Sequence, residues 1–472
     1  MTENYWSKEE SETEFPPINS LLSELSDPEV AEEEFQADFF QGLAGRRQKA
    51  AFLLMTIWLV TITLHLVSWG IWLVLSFTTL AGMQILRYLF AQPDPTPLLL
   101  SPSELADAPK VSLLVAAKNE EAVIKNLVAM LCALDYPEDK YEVWAIDDRS
   151  TDNTPAILDR LAQEYPQLKV VHRAANAGGG KSGALNQVIP QTFGDIIGVF
   201  DADAKVTQDL LRKVVPLFAK EKMGAVQVRK AIANDTENFW TKGQATEMAL
   251  DSYVQQQRIA VGGIGELRGN GQFVSRTALA SCGGWNEETI TDDLDLTIRL
   301  HLDNWKIGLL LTPPVLEEGV TTVNSLWHQR NRWAEGGYQR YLDYWRYIFR
   351  TPMGFGKRID LLCWMMLQYI VPAANVPDGI MAIARHRLPI LSPITALLFA
   401  WGFLGMFRGL IRVQATSGRA INLSSLLTII GQSLRGLIYM LHWQVVMFSV
   451  TARMSVRPKR LKWVKTVHEG VS

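Results

Sequence analysis

Cysteine is scarce: three residues in a chain of 472, at positions 132, 282 and 363. Thiols so few and so scattered make neither a disulfide framework nor a cysteine-based zinc site, and they fit a reduced, cytosolic compartment for the soluble part. Charge is missing from a long stretch, with no Asp, Glu, Lys or Arg between Lys49 and Arg87. That run is too long for one membrane span of about 20 residues and suits two, turning near Ser68-Trp69-Gly70. Bases are almost absent from residues 1–40, which hold twelve acids against Lys8 alone. Such a head is expected to be disordered, and no cleaved secretory leader is expected behind it, because a leader begins with positive charge. The stretch NAGGGKSGALN, 176–186, lacks one residue of a nucleotide-hydrolase loop. A phosphate-cradling G-x-x-x-x-G-K-[ST] needs a glycine where Ala175 stands, so that class is set aside. Nothing in the net charge of -3 or in any motif points to nucleic acid.

What is present is uneven. Arg46, Arg47 and Lys49 precede the apolar hairpin, Arg87 follows it, and Arg457, Lys459, Arg460, Lys462 and Lys465 crowd the C-terminus. By the bias of Lys and Arg toward the inner membrane face, all three flanks are cytoplasmic, and the number of C-terminal spans is then even, two or four. The basic tail reads as a topology signal or as an attractor of anionic lipid headgroups. The division expected is an acidic N-terminus (1–45), a membrane hairpin (50–90), a soluble domain (110–337), an interfacial helix (338–357), membrane helices (360–450) and a basic cytoplasmic tail (451–472). Within the soluble domain, short apolar runs such as VSLLVAA, YEVWAID and DIIGVF alternate with amphipathic stretches. That alternation predicts an α/β fold with a mainly parallel sheet, whose ligands gather at the carboxyl ends of the strands. The segment YQRYLDYWRYIFR interleaves aromatics with arginines, as a helix in the headgroup region does; a packed helix of the soluble domain is the alternative. The run 421–449 is long and holds Arg435, and reads as one tilted span or two elements.

Five clusters fall where such a sheet places a site. Asn119 and Glu120 follow the first strand. Asp147 and Asp148 end the second and serve as helix caps or as ligands. Asp201 and Asp203 end the most hydrophobic strand. Two residues apart in extended chain, they project to one side, so that one carboxylate can reach a divalent cation while the other positions a sugar or ribose. Mg2+ or Mn2+ suits these oxygens, whereas zinc would call for His or Cys nearby. Asp292, Asp293 and Asp295 open a helix, where the macrodipole favours one or two acids but does not readily explain three. Gln329, Arg330, Arg332 and Trp333 combine guanidinium groups suited to a diphosphate with an indole suited to a sugar ring or base. His172 and His328 lie near motifs and read as neutral rings satisfying a local backbone group. Asn270 and Gln272 read as acceptor-side residues or as part of a glycine turn.

In order, these clusters resemble the membrane branch of the family 2 glycosyltransferases, with its D, D-x-D, [ED]-D and Q-x-x-R-W motifs, over about residues 110–337. The one departure, Thr291-Asp292-Asp293 in place of Thr-Glu-Asp, keeps the acid. The resemblance implies a GT-A (Rossmann-like) fold and a metal-dependent, inverting transfer from a UDP-sugar. It places Asp148 near uracil or ribose, Asp203 on the metal and Asp293 as the base, with Lys181 and Arg332 on the departing UDP. The remaining donor-site residues would be Asn119, Glu120, Asp147, Asp201, Gln329, Arg330 and Trp333. It also explains the glycine stretch, in which Gly180, Lys181, Gly183 and Asn186 would line the donor pocket.

QRNRWAEGG followed by YQRYLDYWR is similar to the cyanobacterial branch that glucosylates lipid. That likeness implies UDP-glucose as donor and diacylglycerol as acceptor, drawn from the lipid bilayer of a plasma or thylakoid membrane. The competing enzyme reading is a processive polysaccharide synthase, and a catalytically silent scaffold is the reading from another class.

Overall fold

The computed structural model describes residues 46–456 apart from positions 97, 352, 417 and 419; the acidic head, and the tail beyond 456 with its basic cluster, lie outside the described residues. Two apolar helices come first, α1 (Arg46–Leu66) and α2 (Gly70–Phe90). Their turn needs glycine, because a Cβ on Gly70 would lie 2.0 Å from the carbonyl oxygen of Leu64.

The soluble domain then alternates as expected. β1 (Val111–Ala117), α3 (Ile124–Cys132), β2 (Tyr141–Asp147), α4 (Thr154–Glu164), β3 (Leu168–His172), α5 (Gly180–Val188) and β4 (Ile196–Phe200) build the first half. β1, β2 and β4 are almost wholly buried, which is why they read as unbroken apolar runs rather than as alternating ones. β5 (Met223–Ile232), α6 (Phe239–Ala260), β6 (Gln272–Ser275), α7 (Asp292–Leu302) and β7 (Lys306–Glu317) complete it. The seven strands lie in the order β3-β2-β1-β4-β6-β5-β7. β1–β2, β1–β4, β2–β3 and β5–β7 pair parallel, and β6 alone runs antiparallel to both neighbours. The sheet is therefore mainly parallel, and the ends of β1, β2, β4 and β5 open on one side.

α8 (Val323–Arg350) is a single 28-residue helix. The expected boundary at 337 falls inside it, and residues 338–350 are its second half rather than a separate interfacial helix. Tyr338, Tyr341 and Tyr344 recur every three residues and so share one face, which is buried. Two of them meet Tyr369 edge-on at 5.3 and 5.7 Å between ring centroids. Arg46 at the start of α1 pairs with buried Asp343, fastening the hairpin to this helix. Trp345, Tyr347 and Phe349 remain exposed.

α9 (Phe355–Met365) passes through a π turn (Met366–Ile370) into α10 (Val371–Ala384), and α11 (Ser392–Thr416) follows. The run 421–449 proves to be two elements, α12 (Leu423–Met440) and α13 (His442–Val456). Among the described residues four helices are long and apolar enough to cross a membrane: α1, α2, α9 with α10, and α11.

Candidate active site

The floor of the site is the carboxyl edge of β1, β2 and β4. Asp148 follows β2 and donates its backbone N–H to Ala117 O of β1 at 2.8 Å. Its carboxylate accepts from Arg173 Nη1 at 2.8 Å and Arg149 Nε at 3.2 Å. Arg173 also donates to the carbonyls of Gly178 and Gly180 at 2.5 and 3.2 Å, so one buried guanidinium pins the glycine loop to Asp148. The loop reaches α5 through Gly179, whose φ is +77°, and a Cβ there would lie 2.2 Å from Glu287 Oε2. Glycine is needed there for the left-handed turn, and a Cβ would also come within 2.9 Å of the Gly183 Cα, whereas the Glu287 carboxylate could move aside.

Lys181, in the first turn of α5, extends its Nζ to within 2.5 Å of Asp201 Oδ1. Burial alone would lower its pKa, but Asp201, Asp292 and Asp293 more than offset this and hold the ammonium above its usual range. Asp203 Oδ2 accepts from Glu318 N at 2.9 Å, and the backbone N–H of Asp201 donates to Asn270 Oδ1 at 3.2 Å.

α7 supplies the opposite wall. Asp293 Oδ1 accepts from Leu294 N at 2.8 Å. Burial, and then the charge of Asp292, push the Asp293 carboxyl up to about 6, against the pull of its own hydrogen bond, Lys181 and Arg268. Asp292 Oδ2 is buried without a partner. The third acid, Asp295, is structural: it pairs with Arg299 at 2.7 Å and accepts from Tyr344 OH at 2.8 Å.

Glu120, Asp148, Lys181, Asp201, Asp203, Asp293, Gln329, Arg332 and Trp333 all line one cavity of about 770 Å³. Asn119, Asp147 and Arg330 do not. Asn119 clips two loops, its Oδ1 accepting from Thr151 N at 2.7 Å. Asp147 turns to His172 Nδ1 at 3.1 Å and Ser150 N at 3.0 Å. His172, expected to meet backbone, instead bridges Asp159 and Asp147, which raise its pKa. Arg330 is fully buried behind Trp333, its Nη2 2.5 Å from Glu247 Oε2 and its guanidinium 4.1 Å from the indole centroid. Asn186 ties α5 to Trp285 O and Glu287, and it lies off the wall with Gly183. Asn270 and Gln272 are fully buried and also lie off the wall.

Sequence reasoning missed several wall residues. Arg268 is held by Asp251 at 2.8 Å and Glu266 at 2.6 Å. Lys230 is paired with Glu317 at 2.9 Å and lies 5.3 Å from the Trp333 centroid. The sequence signal for Arg268 was the RGNGQ turn that it opens; Lys230 had none.

Among the described residues no group of three or more His, Cys, Asp or Glu is disposed to cage a metal. The residue types nonetheless suit a hard cation. Asp201 and Asp203 are on one wall, and Asp292, whose buried Oδ2 has no hydrogen-bond partner, belongs to the same cavity wall. Mg2+ is commonly held by only one or two carboxylates and completed by substrate phosphates.

The cavity does not stop at the soluble domain. Its wall continues over Tyr88 of α2, Trp364 of α9, Phe399 and Met406 of α11, Leu437 of α12 and Met447 of α13. The carboxylates at the strand ends and the apolar helices thus border one space.

Comparison with known proteins agrees with this geometry. A family model described as "Glycosyltransferase like family 2" matches residues 109–336. The chain is 58% identical over 460 residues to a beta-monoglucosyldiacylglycerol synthase of Synechocystis sp., covering 97% of this chain and 96% of the relative. It is likewise 58% identical over 471 residues to the protein of that name from Trichormus variabilis, covering 100% and 99%. Among solved structures, the mannosyltransferase PcManGT from Pyrobaculum calidifontis, in complex with GDP-Man and Mn2+, shares the fold. That match has a TM-score of 0.51 at 20% identity and covers 82% of this chain and 99% of that one.

Proposed function

This chain belongs to the glycosyltransferase-like family 2, and we propose that it is an inverting glucosyltransferase, moving glucose from UDP-glucose to the free hydroxyl of diacylglycerol at the cytoplasmic membrane face. The product is a β-glucosyl lipid. The observation that carries the reading is the continuity of one cavity from Asp148, Asp201 and Asp293 to the walls of the membrane helices. A water-soluble donor can reach the polar end and a lipid the apolar end, without either leaving its own phase.

In the proposed mechanism the nucleotide lies by Asp148, and Lys181 and Arg332 face the diphosphate as it departs. A divalent cation, Mg2+ or Mn2+, would be held by Asp203 with Asp201 and would offset the charge developing on the diphosphate. Asp293 accepts the proton of the acceptor hydroxyl as its oxygen bonds to the anomeric carbon and the carbon–phosphate-oxygen bond breaks. A carboxyl raised to about 6 is a stronger base than an ordinary aspartate, and it is still mostly ionised at neutral pH. Trp333 is held by cation-π contacts with Arg330 and Lys230 and offers its remaining surface to a sugar or base.

The test is product analysis. Membranes containing the chain, given radiolabelled UDP-glucose with and without diacylglycerol, should form a chloroform-soluble glucolipid that increases with added diacylglycerol. An alcohol-insoluble polymer formed without lipid would overturn the reading.

A further inference from the structure

On the membrane-helix side of the cavity two polar atoms have no partner. The indole Nε1–H of Trp364 and the amide Oε1 of Gln368 are buried without a hydrogen bond. Both residues are on the cavity wall, and folded proteins rarely leave such atoms unpaired. Four residues apart, they lie about one turn from each other along the helix. Gln368 sits inside the π turn Met366–Ile370, a local widening that recurs at functional positions in helices.

Trp364 is held by a cation-π contact. Its ring lies 4.5 Å from the guanidinium of Arg258. That group is fully buried and locked by Asp360 at 2.9 Å and Glu266 at 3.2 Å. Beyond this pair the wall is mostly apolar, with Ile85, Phe399, Met406 and Leu437, and with Gln84, Asn375 and Thr395 as polar members. On α11 it also includes Gly402, where a Cβ would meet, among the described residues, only Leu437 Cδ2, at 3.5 Å. The juxtaposition is an unpaired hydrogen-bond donor beside a mostly apolar passage. It fits a molecule with an accepting oxygen next to a hydrocarbon chain.

We propose that Trp364 donates its indole N–H to an ester carbonyl of the lipid acceptor, with Gln368 beside it and one acyl chain running past Gly402. This rests on the lipid-acceptor reading above and adds to it the group that is recognised. An acyl chain moving from bilayer to an apolar passage gains little from hydrophobic transfer, since both surroundings are apolar. Selectivity for the glyceride therefore falls to the polar contact.

The experiment compares 1,2-diacylglycerol with the 1,2-dialkylglycerol of equal chain length, which keeps the hydroxyl and lacks the carbonyls. Full-length protein in nanodiscs receives UDP-glucose and each acceptor in turn. Wild type should favour the diacyl acceptor by about three- to tenfold in kcat/KM, the value of one hydrogen bond. Trp364→Phe, which keeps a ring over Arg258 and removes the N–H, should bring that ratio to about one and leave the KM for UDP-glucose unchanged. The ratio is taken within one preparation, so a smaller folded fraction does not alter it. A wild-type ratio near one, or an unchanged ratio in the variant, would overturn the assignment. Glucosylation of neither acceptor by wild type would overturn the lipid reading itself, a result distinct from either.

Discussion

Lys181 Nζ and Asp201 Oδ1 lie 2.5 Å apart, joining the first turn of α5 to the end of β4 across the floor of the cavity. The ammonium is thus held beside the carboxylates proposed to hold the divalent ion, where the donor's diphosphate is proposed to lie. Lys181→Met removes it while keeping the length of the side chain. The expected result is a fall in kcat/KM for UDP-glucose of about tenfold to a thousandfold, the range for removing one preorganised stabilising group. Steady-state kinetics at saturating acceptor checks this.

Asp293→Asn keeps the shape of the wall and removes the base. Transfer should fall by about 10²- to 10⁴-fold, with UDP affinity by calorimetry within about threefold of wild type. In wild type the raised carboxyl has a pH consequence. The base works when ionised, so kcat/KM should rise with pH through about 6 and then level. A limb centred near the ordinary aspartate range would contradict the burial argument.

Arg330 and Arg332, two residues apart in one motif, should behave differently. Arg330→Met leaves Glu247 without its buried partner and should cost about 3–5 kcal/mol of stability, read by thermal or denaturant unfolding. Arg332→Ala should change stability by about 1 kcal/mol or less, while kcat/KM falls by about a hundredfold or more.

Chelation gives a fourth expectation. Removing divalent ions should abolish transfer, and Mg2+ or Mn2+ should restore it, consistent with a site of carboxylate oxygens and no His or Cys. Full activity in excess chelator would exclude a metal at Asp203.

Much of this was legible in the sequence. The uncharged run gave the hairpin, and the apolar runs gave the buried strands. Asp148, Asp203 and Asp293 sit at strand and helix ends that bring them to one cavity. The errors have geometric causes. Neighbours in extended chain face opposite ways, so of Asp147 and Asp148 only one meets the cavity. A helix turns about 100° per residue, so Gln329, Arg332 and Trp333 share a face and Arg330 points behind it. The tyrosines of residues 338–344 read as interfacial because their composition suits a membrane surface, and it suits a buried helix face equally well. Arg268 and Lys230 carry no motif and reach the wall only through long-range pairing with Glu266, Asp251 and Glu317.

The central claim is that donor and lipid acceptor meet in one cavity at Asp293. The most direct measurement is an experimental structure of the Asp293→Asn variant in nanodiscs with UDP-glucose and diacylglycerol bound. The account predicts the lipid hydroxyl within about 3.2 Å of the residue 293 side chain, and its chains between α2, α9 and α11. Diacylglycerol bound only on the outer surface of the helices, or a donor sugar turned away from residue 293, would contradict it.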